Sequence, residues 1–489
     1  MKTIRNFLKA AIVVAAITLF GIGCNDNPAQ IAKPYLATPN VILIVADDLG
    51  YYDLGCYGNR FIETPHLDRM AAEGVRFTQG YAAAPLCSPT RASIQTGLYP
   101  ARIGMTEHIR GHPGARPWMP VVPVKSKQGL DSNYQTLPEI FASKDYTTAH
   151  IGKWHLGGGA SMPEAQGYDF NFAGNWAGLP RSFFYPFFDQ GVLEEVKAYS
   201  QDGEYLTDVL TRRAVEYITT ERDQPYFLHL AYYSPHVPIE GKARWVEHYQ
   251  RKRRPLADSL LPNVHYAAMI ASIDENIGTL LDTLRSTGQD RNTLVIFTSD
   301  NGGLSVREVP GYDQHTPPTD NGVLKAGKGY LAEGGIREPF LFWLPGTLPA
   351  NRVEDTPIIS TDFLNTFAEM LGSEARSSDG RSLWGLLRGD DFAPRDLFWH
   401  HPHYSPQMGI PEAAVRSGSY KLIRDLGTQT AALYDLGSDP SEIHDLAGEE
   451  PVRYQAMQTK LDNWLRTVGA KMPEPNPDYD PTAPLPPPR

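Results

Sequence analysis

The stretch Asn40-Val41-Ile42-Leu43-Ile44-Val45-Ala46-Asp47-Asp48-Leu49-Gly50 decides the fold class. Its first seven residues form an almost continuous apolar run rich in β-branched side chains, as expected of a strand covered on both faces in a parallel sheet. Two adjacent aspartates then end the strand. Buried carboxylates are costly unless something positive meets them, and a metal ion is the natural partner. The same pattern recurs along the chain. Tyr146–Gly152 runs into Lys153-Trp154-His155, Pro225–Tyr232 is followed by His236, and Thr293–Ser299 is closed by Asp300-Asn301-Gly302-Gly303. Segments with helical character lie between and beyond them, at Leu137–Ser143, Tyr205–Thr220, His265–Thr287 and Asp362–Leu371,. Strand–helix alternation of this kind makes an α/β fold. In such a sheet the carboxyl ends of parallel strands share one edge, where ligands bind. Asp47, Asp48, Lys153, His155, His236, Asp300 and Asn301 are therefore predicted to converge on one site. Lys153 and His155, two apart on an extended segment, are expected to face it together. Hard oxygen donors select Ca²⁺ or Mg²⁺ over zinc.

A second stretch, Pro85-Leu86-Cys87-Ser88-Pro89-Thr90-Arg91 with Thr96-Gly97, places a cysteine where a loop turns into a helix. Ser88 is suited to cap that helix, Pro89 to its first turn and Gly97 to the position past its end. Cys87 would then sit beside unpaired N–H groups and the positive end of the helix dipole, a setting that favours an anion. Arg91 adds a full charge one turn on.

These residues resemble the C-x-P-x-R signature of the formylglycine-dependent (type I) sulfatases of the alkaline phosphatase superfamily. Gly152-Lys153-Trp154-His155-Leu156-Gly157 resembles a second segment of that family. Gly327-Lys328-Gly329 with Glu333-Gly334-Gly335-Ile336-Arg337-Glu338-Pro339 resembles a third, in which Lys328 matches the family lysine and Lys325 is a weaker candidate. The resemblance extends to Tyr420-Lys421-Leu422 and Leu433-Tyr434-Asp435-Leu436. It implies a large mixed, mostly parallel sheet sandwiched by helices, with a smaller C-terminal α+β subdomain. It further implies that a maturation enzyme oxidises Cys87 to formylglycine, the nucleophile that breaks a sulfate ester. One Ca²⁺, with Mg²⁺ as second choice, would be held by Asp47, Asp48, Asp300, Asn301 and the modified Cys87. Arg91 would hold the formylglycine hydrate, Lys153 and Lys328 would bind the sulfuryl group, His236 would protonate the leaving oxygen and His155 would assist deprotonation. The implied substrates are sulfated carbohydrates or polysaccharide fragments. The rival activities are a phosphonate or phosphodiester hydrolase of the same superfamily and a silent surface protein that binds sulfated glycans.

The 489 residues carry a net charge of −11. This argues against a nucleic-acid groove or an anionic membrane surface, so an anionic substrate must be met by a local cluster of cations. Lys2, Arg5 and Lys9 precede the apolar run Ala10–Ile22, too short to span a bilayer, and Gly23-Cys24 follows,. Residues 1–23 read as a signal peptide of lipoprotein type, with Cys24 lipidated and 24–38 a tether. Export to the periplasm or cell surface is expected, with plain secretion as the alternative. A catalytic domain is expected over 39–375, an α+β subdomain over 376–471 and a proline-rich, extended or disordered tail over 472–489. With Cys24 and Cys87 so used, Cys56 has no partner and reads as an inert packed thiol,. Sugar contacts are sought among the loop residues His108, Arg110, His112, Arg181, His315, His400, His401 and His403.

Overall fold

A computed structural model of the chain describes residues 38–111, 114–253, 263–307, 315, 317–375 and 377–484. The expected leader, Cys24, nearly all of the tether, and His112 lie outside the described residues. The apolar runs form the strands they suggest. In chain order these are β1 (Asn40–Ala46), β2 (Val75–Tyr81), β3 (Val121–Val122), β4 (Thr147–Gly152), β5 (Phe170–Phe172), β6 (Tyr226–Ala231), β7 (Thr293–Ser299), β8 (Arg337–Trp343), β9 (Arg352–Glu354) and β10 (Ile358–Ile359). All but β3 join one nine-stranded sheet, ordered β10-β2-β8-β7-β1-β6-β4-β5 with β9 also on β2. Within it β1 lies parallel to β6 and β7, and β4 parallel to β5 and β6. Only β8 runs against its neighbours β2 and β7.

Every residue of β1 is buried, because the sheet carries helices on both faces. Ile42, Ile44 and Ala46 pack into a core shared with the helices Leu206–Thr219 and Val264–Ser286. On the opposite face Phe227 of β6 stacks on Phe141 at 4.1 Å, and Phe141 meets Phe367, from the helices Leu137–Ala142 and Asp362–Met370. Each fully buried Val, Leu, Ile or Phe contributes about 1.5–3 kcal/mol, so this two-sided burial fixes the sheet's centre. The strand ends that carry chemistry belong to that centre.

The C-terminal region is a four-stranded antiparallel meander of β11 (Leu397–His401), β12 (Glu412–Ser417), β13 (Tyr420–Asp425) and β14 (Ala431–Asp435). The helix Pro451–Thr467 covers one face of it through Met457, Leu461 and Leu465. Trp399 of β11 instead reaches the large sheet, with its Nε1 donating to the Ala82 carbonyl at 2.8 Å. The meander thus braces the segment that leads to Cys87. Within the tail, β15 (Glu474–Pro475) is extended and pairs with β3, and the Asn476 amide donates to the Arg116 and Met119 carbonyls at 3.0 and 2.8 Å. Asn476 thus satisfies two loop carbonyls, a contact that composition does not reveal. No helix among the described residues is long and apolar enough to cross a membrane.

Lys421 of β13 joins the two regions electrostatically. Its ammonium group is fully buried, 2.9 Å from both Glu333 and Glu442. Removing one partner of a buried ion network strands the others and costs about 3–5 kcal/mol. Lys421→Met, which keeps the stem, is therefore expected to lose about that much stability in a denaturant titration; a midpoint equal to wild type would refute the brace.

Candidate active site

Four parallel strands deliver their ends to one place. β1 runs out into Asp47 and Asp48, which are 0 % and 1 % exposed. β4 leads into Lys153, β6 into His236 and β7 into Asp300 and Asn301, all of them buried. The turn out of β4 requires Gly152: at its φ of +106° a Cβ would lie 1.9 Å from the Ala231 carbonyl oxygen. Cys87 faces the same point from the helix Cys87–Thr96, which Gly97 ends at φ +67° with its N–H on the Ser93 carbonyl.

Ser88 does not cap this helix. Cys87 is itself the first helical residue, after Leu86. The Ser88 hydroxyl donates to the His155 carbonyl at 2.8 Å and accepts the Ile109 N–H at 3.1 Å, pinning the helix to the β4 exit. His155 reaches the site by a different backbone path from the one alternation implies. It stands at φ +55°, so side-chain alternation from Lys153 breaks there. Lys153 turns inward to Asp47, and His155 lines the pocket with its ring packed beneath Gly178.

The polar groups are linked to one another. Lys153 Nζ lies 2.6 Å from Asp47 Oδ2, and Lys328 Nζ lies 2.7 Å from Asp48 Oδ2 and 2.8 Å from His236 Nε2. Arg91 donates from Nε to Asp300 Oδ2 and from Nη1 to the Lys153 carbonyl, both at 2.8 Å. Asp300 Oδ1 accepts the Asp48 N–H at 3.2 Å, and Asn301 Nδ2 donates to Asp48 Oδ1 at 2.8 Å. Cys87 Sγ is 3.4 Å from Asp47 Oδ1 and 3.9 Å from Asp48 Oδ1. Lys325 turns away to the Glu442 carbonyl, which leaves Lys328 as the site lysine of its segment.

Burial sets the protonation states. It pushes the Asp47 carboxyl up to about 8 even with Lys153 pulling the other way, because Asp300 and Asp48 add to it. It also raises the Cys87 thiol well above its usual range, with Asp300 adding to the shift. An unmodified Cys87 is therefore a protonated thiol and a poor nucleophile. His236 is held well below its ordinary value by burial, then by Lys328 and Lys153. Its Nδ1 lies 2.9 Å from the Val237 carbonyl, so the proton sits on Nδ1 and the Nε2 lone pair faces the site. Burial and Lys153 likewise keep His155 neutral.

Ligand atoms of Asp47, Asp48, Cys87 and His236 lie within 4.8 Å of one another. Asn301 Oδ1 is buried without a hydrogen-bond partner among the described residues, a spare acceptor beside them. Clustered carboxylates with an orphaned amide oxygen fit a hard divalent cation. Two residues that sequence periodicity does not expose support this centre. Asp48 stands at φ +63°. Tyr266 Oη lies 3.0 Å from its carbonyl and 2.8 Å from Asp53 Oδ2, while Asp53 also accepts the Gly50 N–H at 3.0 Å. The hydroxyl has one proton for two acceptors. Burial raises the Asp53 carboxyl to about 6, with the hydrogen bonds from Tyr266, Thr319 and Gly50 pulling the other way.

The cluster opens into a pocket of about 870 Å³. Cys87, His155, His236 and Lys328 form part of its lining. Trp176, Leu179, Arg181 and Phe188 line it from the irregular, aromatic-rich stretch 158–202, and His108, Arg110 and Gln407 complete other sides. Of the loop candidates, His315 stacks on His265 instead, and His400, His401 and His403 are buried outside the pocket lining. Cys56 is a free thiol raised by burial to about 12, as an inert packed cysteine should be.

Comparison with known proteins agrees with this geometry. The sulfatase family model matches residues 39–373, and that of the N-sulphoglucosamine sulphohydrolase C-terminal region matches 326–471. Arylsulfatase A of Homo sapiens is 32% identical over 485 residues, spanning 91% of this chain and 86% of that protein. N-acetylgalactosamine-6-sulfatase of Homo sapiens is 32% identical over 458 residues, spanning 84% of this chain and 80% of its own. A solved structure of Ps i-CgsB in complex with k-i-k-neocarrahexaose superposes with a TM-score of 0.70 at 27% identity, covering 87% of this chain and 92% of that one. With the family match spanning most of the chain and the strand-end cluster in place, the protein belongs to the type I sulfatases of the alkaline phosphatase superfamily and is a sulfuric ester hydrolase.

Proposed function

We propose that the chain removes sulfate from sulfated carbohydrates, using Cys87 after its oxidation to formylglycine and one bound Ca²⁺. The observation that carries this reading is the position of Cys87: a buried thiol 3.4 and 3.9 Å from two carboxylates, in the lining of a pocket wide enough for a sugar,. Relatives named for N-acetylgalactosamine-6-sulfate and bound to a neocarrahexaose support a sugar substrate. The basic run before Ala10–Ile22 and Cys24 support export with a lipid anchor,.

Asp47, Asp48, Asp300, Asn301 and the modified Cys87 would hold the ion. When bound, Ca²⁺ supplies a positive charge that polarises the sulfate oxygens, and the hydrated aldehyde supplies a hydroxyl in place of a thiol. Mg²⁺ would fit the same donors less well, since it demands a tighter octahedral shell. Arg91, fixed on Asp300 and the Lys153 carbonyl, would hold the base of the nucleophile. Lys153 and Lys328 would neutralise charge on the sulfuryl group. His236 would give a proton to the departing sugar oxygen. Because burial and Lys328 hold it neutral, it must gain that proton together with the anionic substrate, whose charge raises its pKa. His155 would bond the second hydroxyl of the nucleophile and help its deprotonation.

Sulfate release from sulfated mono- and oligosaccharides, measured on protein co-produced with a maturation enzyme, is expected to vanish in Cys87→Ala. Retained release in that variant would end the proposal. Loss of a general acid typically costs on the order of 10²–10⁴ in rate. His236→Ala is expected to lose that much kcat on an unactivated sugar sulfate and less on an aryl sulfate, whose leaving group needs little protonation. An effect under about threefold on both would remove His236 from the mechanism.

A further inference from the structure

The pocket holds a cation that the reading above does not use. Arg110 lies on its wall, and its guanidinium carbon sits 4.1 Å from the centroid of the Trp176 ring. Its backbone is held at φ +77°, a conformation that non-glycine residues rarely adopt, and its N–H donates to Gln128 Oε1 at 2.8 Å,. Arg181, the other arginine in the lining, is already matched by Asp189 at 2.7 Å. Arg110 differs: its side chain is exposed to the pocket, and no carboxylate pairs with it among the described residues. On a protein of net charge −11, an arginine left without an acid in the substrate pocket stands out.

The stacking defines what Arg110 can bind. A guanidinium carbon 4.1 Å over the indole ring leaves Trp176 covering one side of the group, while N–H groups directed away from the ring can make paired hydrogen bonds to an anion,. That edge matches a sulfate or a carboxylate. Lys153 and Lys328 are the cations proposed for the sulfate at Cys87, which leaves Arg110 for a different anion. Carbohydrates carry such second anions as a further sulfate ester or as a uronate.

We propose that Arg110, oriented by Trp176, is a second anion subsite, and that the enzyme prefers sugars bearing another acidic group besides the sulfate it removes. This rests on the sulfatase reading of the Cys87 site. The subsite acts in binding and takes no part in bond breaking, so its effect falls on KM rather than kcat.

The test compares three disaccharides with the same scissile sulfate: one otherwise neutral, one with a second sulfate and one with a uronate. The wild type is expected to favour at least one acidic sugar over the neutral one, and which of the two it favours identifies the anion. Arg110→Ala is expected to reduce that preference between tenfold and a hundredfold through KM, the usual range for a hydrogen bond between charged groups. Arg110→Lys is expected to recover little of it, because an ammonium group lacks the planar fork. Calorimetric binding of the same sugars to Cys87→Ala and to Cys87→Ala/Arg110→Ala gives the same comparison without turnover. The sulfatase reading is judged separately, by wild-type turnover of an aryl sulfate that Cys87→Ala abolishes. Equal affinity for acidic and neutral sugars, or a preference that survives Arg110→Ala, would overturn the subsite.

Discussion

The site depends on one buried guanidinium. Arg91 is 1 % exposed and holds Asp300 at the end of β7 and the Lys153 carbonyl at the end of β4. Asp300 in turn accepts the Asp48 N–H at the end of β1. A charge so deep is tolerable only when paired and hydrogen-bonded. That requirement forces three strand ends and the Cys87 helix into one geometry. The lysines extend the rule: each buried carboxylate of the centre faces a buried cation, so the cluster is nearly self-neutral while the protein as a whole is acidic. The cations that would meet an anionic substrate are thereby held in place by the carboxylates beside them.

Much of this was legible in the sequence because buried parallel strands are apolar on both faces. β1, β4, β6 and β7 stand out as runs, and whatever follows them must lie at the sheet's carboxyl edge. Asp47, Asp48, Lys153, His236, Asp300 and Asn301 were found that way. Cys87 and Arg91 were found through a motif that also marks a helix start.

What the sequence hid depends on contacts between distant segments. β8 reads as part of a motif, and nothing local says that it alone among the described strands of the large sheet runs antiparallel. The hydroxyl of Ser88 fits a helix cap but serves a carbonyl 67 residues away. His155 leaves the alternation because its backbone turns left-handed, which Gly usually marks and histidine does not,. Tyr266 and Asp53 sit within a helix and a short turn with no pattern that points to Asp48. Arg110 was one of eight loop candidates until its position over Trp176 and its lack of an acid among the described residues set it apart.

The most direct test of the account is the mass of the tryptic peptide Phe77–Arg91, measured across preparations made with graded amounts of maturation enzyme. The account predicts an aldehyde at Cys87, with sulfate release rising in proportion to its fraction. Full activity from protein whose peptide keeps the thiol would contradict it.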